Sequence, residues 1–161
     1  GVDDRCQEYQ NLRRKKIETS AYLKYDKVWP DIKTTLEESK QEFNLTLVTL
    51  RNSYNDLIEE LETLELLSCF HYVLSESGDK VSEEKALIKV RLVNQQFGEV
   101  PLKGWFLGDT ETDIKAGQML GLKTAAVSFG IRTVEHIKLM EPDIIIESPS
   151  DLVIWLKNLL I

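Results

Sequence analysis

Three acidic residues lie within five positions of one another in the stretch 107-LGDTETDIKAG-117, directly after an apolar run. Gly108 allows the backbone to turn sharply after a strand. Asp113 follows Asp109 by about one helical turn, so both carboxylates share one face. Two hard oxygen ligands at this spacing suit a Mg²⁺ ion that keeps several waters. An alternative is that these acids, including the outward-pointing Glu111, only complement the positive end of a helix dipole.

A second candidate feature is Thr49, which falls at the end of the apolar run 45-LTLVTL-50. Its hydroxyl, together with the backbone amides of Leu50 and Arg51 at the start of a helix, could bind a phosphate. The Arg51 side chain could assist an anion or face solvent. Because threonine is common at strand ends, a purely structural role for Thr49 stays open.

Lys85, in 82-SEEKALIKV-90, falls in the first turn of a predicted helix. A cation there is electrostatically misplaced, because positive charge is favoured at the opposite helix end. A dianionic ligand nearby would compensate for this, which makes Lys85 a candidate for phosphate binding. Lys80 competes for the same role, although its Gly-Asp-Lys context is typical of an ordinary loop.

The elements that must position these residues alternate between strand and helix from residue 45 to the end. Such alternation predicts an α/β fold with a parallel sheet covered by helices on both faces. Ligands of such sheets bind outside the carboxyl ends of the strands, where Thr49, Lys85 and Asp109 are expected to converge. The predicted strands are 45–50, 71–74, 104–107, 124–128 and 143–146, and the predicted helices are 31–42, 53–66, 82–94, 112–120, 133–139 and 150–160.

The amino-acid composition narrows the class of partner that the protein could bind. The net charge of -7 argues against nucleic acid and anionic membrane, since both require clustered lysine and arginine. No apolar run reaches the length needed to cross a bilayer. Cys6 and Cys69 match no metal or redox spacing. Cys69 is interpreted as a small core residue, and a reducing, cytoplasmic setting is expected.

At these residues the sequence resembles the haloacid dehalogenase-like (HAD) phosphohydrolases, especially the phosphoglycolate-phosphatase type. Gly108-Asp109-Thr110 with Asp113-Ile114, Ala116-Gly117 and Gly121 is similar to the fourth motif of that family, which would make Asp109 and Asp113 its magnesium-site acids. Thr49 resembles the Ser/Thr of the second motif, and Lys85 the lysine of the third. The resemblance covers residues 28 to 161, and 142-PDIIIES-148 with the last helix looks like the usual ending.

The first motif of the family, an apolar strand ending in a nucleophilic Asp-x-Asp, has no match here. Val2-Asp3-Asp4-Arg5 has the wrong spacing, and no strand leads into it. The resemblance therefore implies a three-layer Rossmann-like core, residues 29–161, whose central strand is missing from this chain. Residues 1–28 resemble the end of a helical cap. Two strand edges would then face a gap. Either a separate segment or chain fills it, or the neighbouring strands close up, or the chain is a remnant of something longer.

Two functions follow from the resemblance. The first is a Mg²⁺-dependent phosphomonoester hydrolase of small phosphorylated metabolites, working through an aspartyl-phosphate, of which this chain lacks the nucleophile. The second is a non-catalytic HAD-like binding module, or pseudo-phosphatase. The sequence leaves the substrate, the oligomeric state and the presence of activity open.

Overall fold

The computed structural model describes residues 25–76 and 84–161. Most of the predicted cap segment, residues 1–28, lies outside this part, as does Lys80. Strands and helices alternate as predicted, and their ends differ from the predicted ones by at most three residues. In chain order they are α1 (Ile32–Glu42), β1 (Thr46–Thr49), α2 (Tyr54–Thr63), a 3₁₀ turn (Leu67–Cys69), β2 (Tyr72–Ser75), α3 (Lys85–Phe97), β3 (Trp105–Gly108), α4 (Glu111–Met119), β4 (Lys123–Val127), α5 (Val134–Lys138), β5 (Ile144–Ile146) and α6 (Pro149–Asn158).

All strand pairs in the described part of the chain are parallel, which confirms the predicted α/β class. The strands form two separate sheets. β1 pairs with β2, Val48 standing opposite Leu74. β3, β4 and β5 form the second sheet, in which Leu107 stands opposite Ala125 and Ala125 opposite Ile144.

One helix layer, α3 and α4, covers a face of both sheets. Its core contains Ala86, Val93, Phe106 and Ala116, and Val48 and Leu74 from the smaller sheet pack against these residues. Side chains of both sheets thus enter one apolar cluster, so the two sheets lie side by side under shared helices. Burial of apolar area in this cluster is the main force that holds them together.

The opposite face is covered by α1 and α6. Ala125, Val127 and Ile146 from the larger sheet form a core with Leu152 of α6, and Ile32 of α1 packs against it. Helix α1 also contacts the 3₁₀ turn that precedes β2. The layers are therefore helix, sheet and helix, as predicted.

β1 and β3 each leave one edge unpaired among the residues that the structure describes. The Thr49 carbonyl accepts from the Glu76 N–H beyond β2. Since successive carbonyls of a strand point to opposite edges, the Val48 carbonyl points away from β2. On β3 the Gly104 carbonyl accepts from Lys123 N–H, so the polar groups of Leu107 point away from β4 by the same alternation. These two edges are the ones that the family resemblance leads us to expect on either side of a missing strand.

Cys69 is fully buried, as predicted. The Ser53 hydroxyl caps α2 by accepting from the Asp56 N–H at 3.2 Å. The apolar run of β5 is only partly buried. Ile146 is buried while Ile144 and Ile145 are half-buried, because β5 lies at the edge of its sheet.

No helix in residues 25–76 and 84–161 is both long and apolar enough to span a membrane.

Candidate active site

Asp109 lies immediately after β3, where the chain turns into α4. Its Oδ2 accepts a hydrogen bond from the backbone N–H of Ile131 at 2.9 Å. This bond fixes the carboxylate against the loop that follows β4. Its Oδ1 accepts no hydrogen bond from any residue that the structure describes, so one oxygen is available to a ligand.

Asp113 is buried in the first turn of α4. Its Oδ2 accepts from the Thr110 hydroxyl at 2.6 Å and from the Thr110 N–H at 3.2 Å. These bonds cap the helix by satisfying an N–H that has no partner within it. Its Oδ1 accepts from the Lys89 ammonium. Asp113 therefore caps α4, and both of its oxygens are engaged.

The turn between β3 and α4 needs Gly108 because of Asp113. A Cβ at Gly108 would lie 2.2 Å from the Asp113 Cβ and 2.5 Å from its Oδ2. Such distances are far below van der Waals contact, so any larger residue would push the Asp113 carboxylate out of place. Steric contact with Asp113 thus requires glycine at position 108, directly before Asp109.

Glu111, the first residue of α4, is bound by Arg132 from the loop after β4. The guanidinium donates from Nε and from a terminal nitrogen to the two carboxylate oxygens, each at 2.7 Å. These hydrogen bonds lower the pKa of Glu111 from its ordinary 4.5 to about 2. The sequence marks Glu111 only as a helix-start charge, because a partner twenty-one positions along the chain leaves no local signal.

Thr49 ends β1 as predicted, and it is half-buried. Its hydroxyl makes no hydrogen bond to a described side chain or backbone group, so it is free to bind an anion. Leu50 and Arg51 follow and lead into the capped start of α2. The Arg51 guanidinium is engaged by Glu60 at 3.0 Å. Burial raises the pKa of Glu60, and the nearby Arg51 partly offsets this.

Lys85 is the first residue of α3, also as predicted. Its ammonium has no ion-pair partner among residues 25–76 and 84–161. The preceding Glu84 pairs with Lys115 of α4, which brings the start of α3 close to the helix that carries Asp113.

Sequence reasoning missed Lys89, one turn further along α3. Its Nζ lies 3.4 Å from the Val48 carbonyl oxygen and donates to Asp113 Oδ1. The carboxyl-terminal half of β1 and the start of α4 therefore meet at a single ammonium group. A signal was present, since Lys89 occupies the buried stripe of α3 with Ala86 and Val93 at helical spacing.

Asp109 and Asp113 supply carboxylate oxygens, which are the ligands that Mg²⁺ prefers. The part of the chain that the structure covers holds no group of three or more histidine, cysteine, aspartate or glutamate residues suited to a metal. The donor set fits an ion that keeps several waters, with Asp109 Oδ1 as the free ligand. Asp113 could contribute only by releasing Lys89 or through a bridging water.

Comparisons with known proteins indicate the family to which the chain belongs. The profile of the family described as "Haloacid dehalogenase-like hydrolase" matches residues 3–127. A phosphoglycolate phosphatase of Aquifex aeolicus is 34% identical over 139 residues, which are 83% of this chain and 61% of that protein. One from Escherichia coli (strain K12) is 32% identical over 93 residues, which are 57% of this chain and 36% of that protein. The chain thus spans less than two-thirds of these curated relatives.

Solved structures share the fold. A Clostridium difficile protein described as a candidate phosphatase superposes with a TM-score of 0.73 at 20% identity, covering 99% of this chain and 72% of that one. A haloacid dehalogenase-like hydrolase of Streptococcus pneumoniae gives 0.63 at 20% identity, covering 80% of this chain and 60% of that one. Because the family profile matches more than half of the chain and the described architecture agrees with it, this protein belongs to the haloacid dehalogenase-like hydrolase family.

Proposed function

We propose that this chain forms the larger part of the core of a Mg²⁺-dependent phosphomonoester hydrolase that works through a covalent aspartyl-phosphate. The observation that carries the proposal is the meeting of β1 and α4 at Lys89, where the Nζ lies 3.4 Å from the Val48 carbonyl and contacts Asp113. The ends of β1 and β3, which belong to two separate sheets, thus lie at one region of the molecule. This is the location expected for a ligand in an open parallel α/β fold.

Each predicted residue has a role in this proposal. The Thr49 hydroxyl and the backbone N–H groups of Leu50 and Arg51 bind phosphoryl oxygens. The Lys85 ammonium offsets the charge on the same oxygens, which is electrostatic stabilisation of the transferring group. Asp109 would hold the Mg²⁺ ion directly, and Asp113 would hold it through a bridging water or after releasing Lys89. When bound, this ion neutralises charge on the phosphoryl group.

The nucleophile requires a strand that ends in Asp-x-Asp. We assign it to the gap between β1 and β3, where Val48 and Leu107 point their backbone groups away from β2 and β4 and have no strand partner in the described part. A parallel strand there would end beside Thr49 and Asp109, so its final carboxylate would face the phosphate. A separate segment or chain supplies this strand.

The substrate class is a small phosphorylated metabolite. The curated relatives named above support it, since they are phosphoglycolate phosphatases. A Bacillus subtilis protein described as a candidate HAD-hydrolase was solved with magnesium bound, which supports Mg²⁺ as the ion. That structure gives a TM-score of 0.57 at 20% identity, covering 80% of this chain and 54% of that one. A cytoplasmic setting agrees with the buried Cys69, which is a free thiol.

The test compares two proteins. The present chain is assayed with phosphoglycolate and a panel of small phosphomonoesters in Mg²⁺, and so is a longer protein that contains the nucleophile strand. We expect no turnover by the first and Mg²⁺-dependent release of phosphate by the second. A longer protein that hydrolyses none of these substrates in Mg²⁺ would contradict the proposal.

A non-catalytic binding module is the second candidate, and one observation favours it. Two of the predicted ligand groups are already engaged within the chain, Asp113 by Lys89 and Arg51 by Glu60. The intact mass of the native protein separates the two functions. A native mass near 18.5 kDa favours the module, and a heavier protein with phosphatase activity favours the enzyme.

A further inference from the structure

Lys89 occupies a position where an apolar residue is expected. Only 8% of it is exposed, and its neighbours on the buried side of α3 are Ala86, Ile88 and Val93. Burying an ammonium group is unfavourable unless it is paired and hydrogen-bonded. The partners of Lys89 must therefore account for its presence in this stripe.

These partners come from two different parts of the fold. The ammonium pairs with the Asp113 carboxylate, and both side chains are nearly buried, at 11% and 9% exposure. It also lies 3.4 Å from the Val48 carbonyl, which belongs to the free edge of β1. Lys89 thus sits at the carboxyl-terminal end of the gap between the two sheets, and it places a positive charge beside a predicted metal ligand.

We infer that Lys89 is a positioning residue, whose ammonium group binds the Asp113 carboxylate where a divalent cation would otherwise bind it. Lys89 thereby weakens cation binding at Asp109 and Asp113. The inference rests on the metal site of the proposed function. The ammonium neutralises one of the two carboxylates, and it repels any divalent ion that approaches them. Cation binding must displace Lys89 from Asp113 or leave Asp113 in the outer coordination sphere.

The experiment measures cation affinity on the chain itself, without any assay of activity. Mg²⁺ is titrated calorimetrically, and Mn²⁺ is titrated by electron paramagnetic resonance of the free ion. The variants are Lys89→Met, which keeps the length of the side chain, and Lys89→Gln, which also keeps a hydrogen-bond donor. Lys115→Met is the matched control, because Lys115 lies in α4 near Asp113 but is exposed and pairs with Glu84.

We expect both Lys89 variants to bind the two ions about tenfold more tightly than the unchanged chain, which corresponds to about 1.4 kcal/mol. Lys115→Met should change the dissociation constant by less than about twofold, since an exposed charge is largely screened. A general loss of structure would weaken binding, so tighter binding cannot arise from damage to the fold. Circular dichroism spectra confirm which of the two Lys89 variants are folded.

Equal or weaker binding by the folded Lys89 variant overturns the inference, as does the absence of saturable binding in that variant. The proposed function is tested separately by phosphate release from the longer protein. If that protein is an active phosphatase while Lys89→Gln binds cations no more tightly, only the inference fails. If Lys89→Gln binds more tightly and the longer protein is inactive, only the phosphatase proposal fails.

Discussion

The carboxylate of Asp109 accepts a hydrogen bond from the backbone N–H of Ile131 at 2.9 Å. This contact joins the end of β3 to the loop after β4, so the carboxylate is held by a neighbouring strand connection as well as by its own turn. One oxygen is fixed by the protein and the other is left for a ligand.

Asp109→Asn should lower Mg²⁺ affinity at least about tenfold, because a neutral amide replaces the available carboxylate oxygen. The amide oxygen of the introduced asparagine can still accept from the Ile131 N–H, so we expect little change in the free energy of unfolding. Calorimetric titration of the chain with MgCl₂ checks the affinity. Glu147→Gln, an exposed acid just after β5, is the control and should bind Mg²⁺ as the unchanged chain does. Equal affinity in the two variants would remove Asp109 from the site.

Gly108→Ala and Gly117→Ala should both destabilise the fold, by about 1–3 kcal/mol each, because each added methyl meets a packed neighbour. At Gly108 that neighbour is Asp113, whereas at Gly117 it is Phe106 and Thr124 in the core. Only Gly108→Ala should therefore weaken Mg²⁺ binding. Urea unfolding gives the free energies, and calorimetry gives the affinities. If Gly117→Ala weakened Mg²⁺ binding as much, the specific link between Gly108 and Asp113 would be wrong.

The Glu111–Arg132 pair should make stability depend on pH. The pKa of Glu111 is lowered to about 2 in the folded chain, so its stabilising effect is complete above the ordinary value of 4.5 and is lost as the pH falls toward 2. Because both side chains are more than a third exposed, at 36% and 39%, solvent screening limits the effect to about 1 kcal/mol or less.

The measurement for this pair is the difference in the free energy of unfolding between the unchanged chain and Glu111→Gln, taken at several values of pH. We expect the difference to be constant above about pH 5 and to shrink steadily below pH 4.5. It should also shrink at high salt. A difference that stayed the same from pH 7 to pH 3 would show that Glu111 is not held as a carboxylate by Arg132.

Thr49→Val in the longer protein with the nucleophile strand should reduce kcat about 100-fold, since one hydrogen-bond donor to the phosphoryl group is lost. Valine keeps the shape and β-branching of threonine, so the strand should be preserved. Thr46→Val, at the other end of β1, is the matched control and should leave kcat within about twofold. Steady-state phosphate release gives both values. Similar losses in both variants would indicate a general effect on β1.

The order of the elements could be predicted from the sequence because each strand is a short apolar run bounded by polar residues. The sequence places Thr49 and Asp109 at strand ends for the same reason, and both strands end within one residue of the expected position. Strand limits depend on local hydrophobicity and on residues such as Gly108. These are properties that the sequence displays directly.

Lys89 and Arg132 were not assigned because their partners are distant along the chain. Lys89 contacts Asp113 and Val48, which are separated from it by 24 and 41 positions. Arg132 binds Glu111 across 21 positions. The sequence indicates Lys85 as a candidate because its charge lies at the unfavourable end of a helix. A lysine in the middle of a helix, such as Lys89, is normally explained by exposure to solvent. The apolar spacing along α3 indicates a buried position at Lys89, but only the packing of α3 against α4 shows which groups it contacts.

The two sheets are connected by helices on both faces, with α3 and α4 on one side and α1 and α6 on the other. If a peptide that carries the missing strand inserts between β1 and β3, these helices must therefore move apart. We expect this opening of the helices to limit the rate of association. The observed association rate would then reach a plateau as the peptide concentration increases, whereas docking on an open surface would give a rate proportional to concentration.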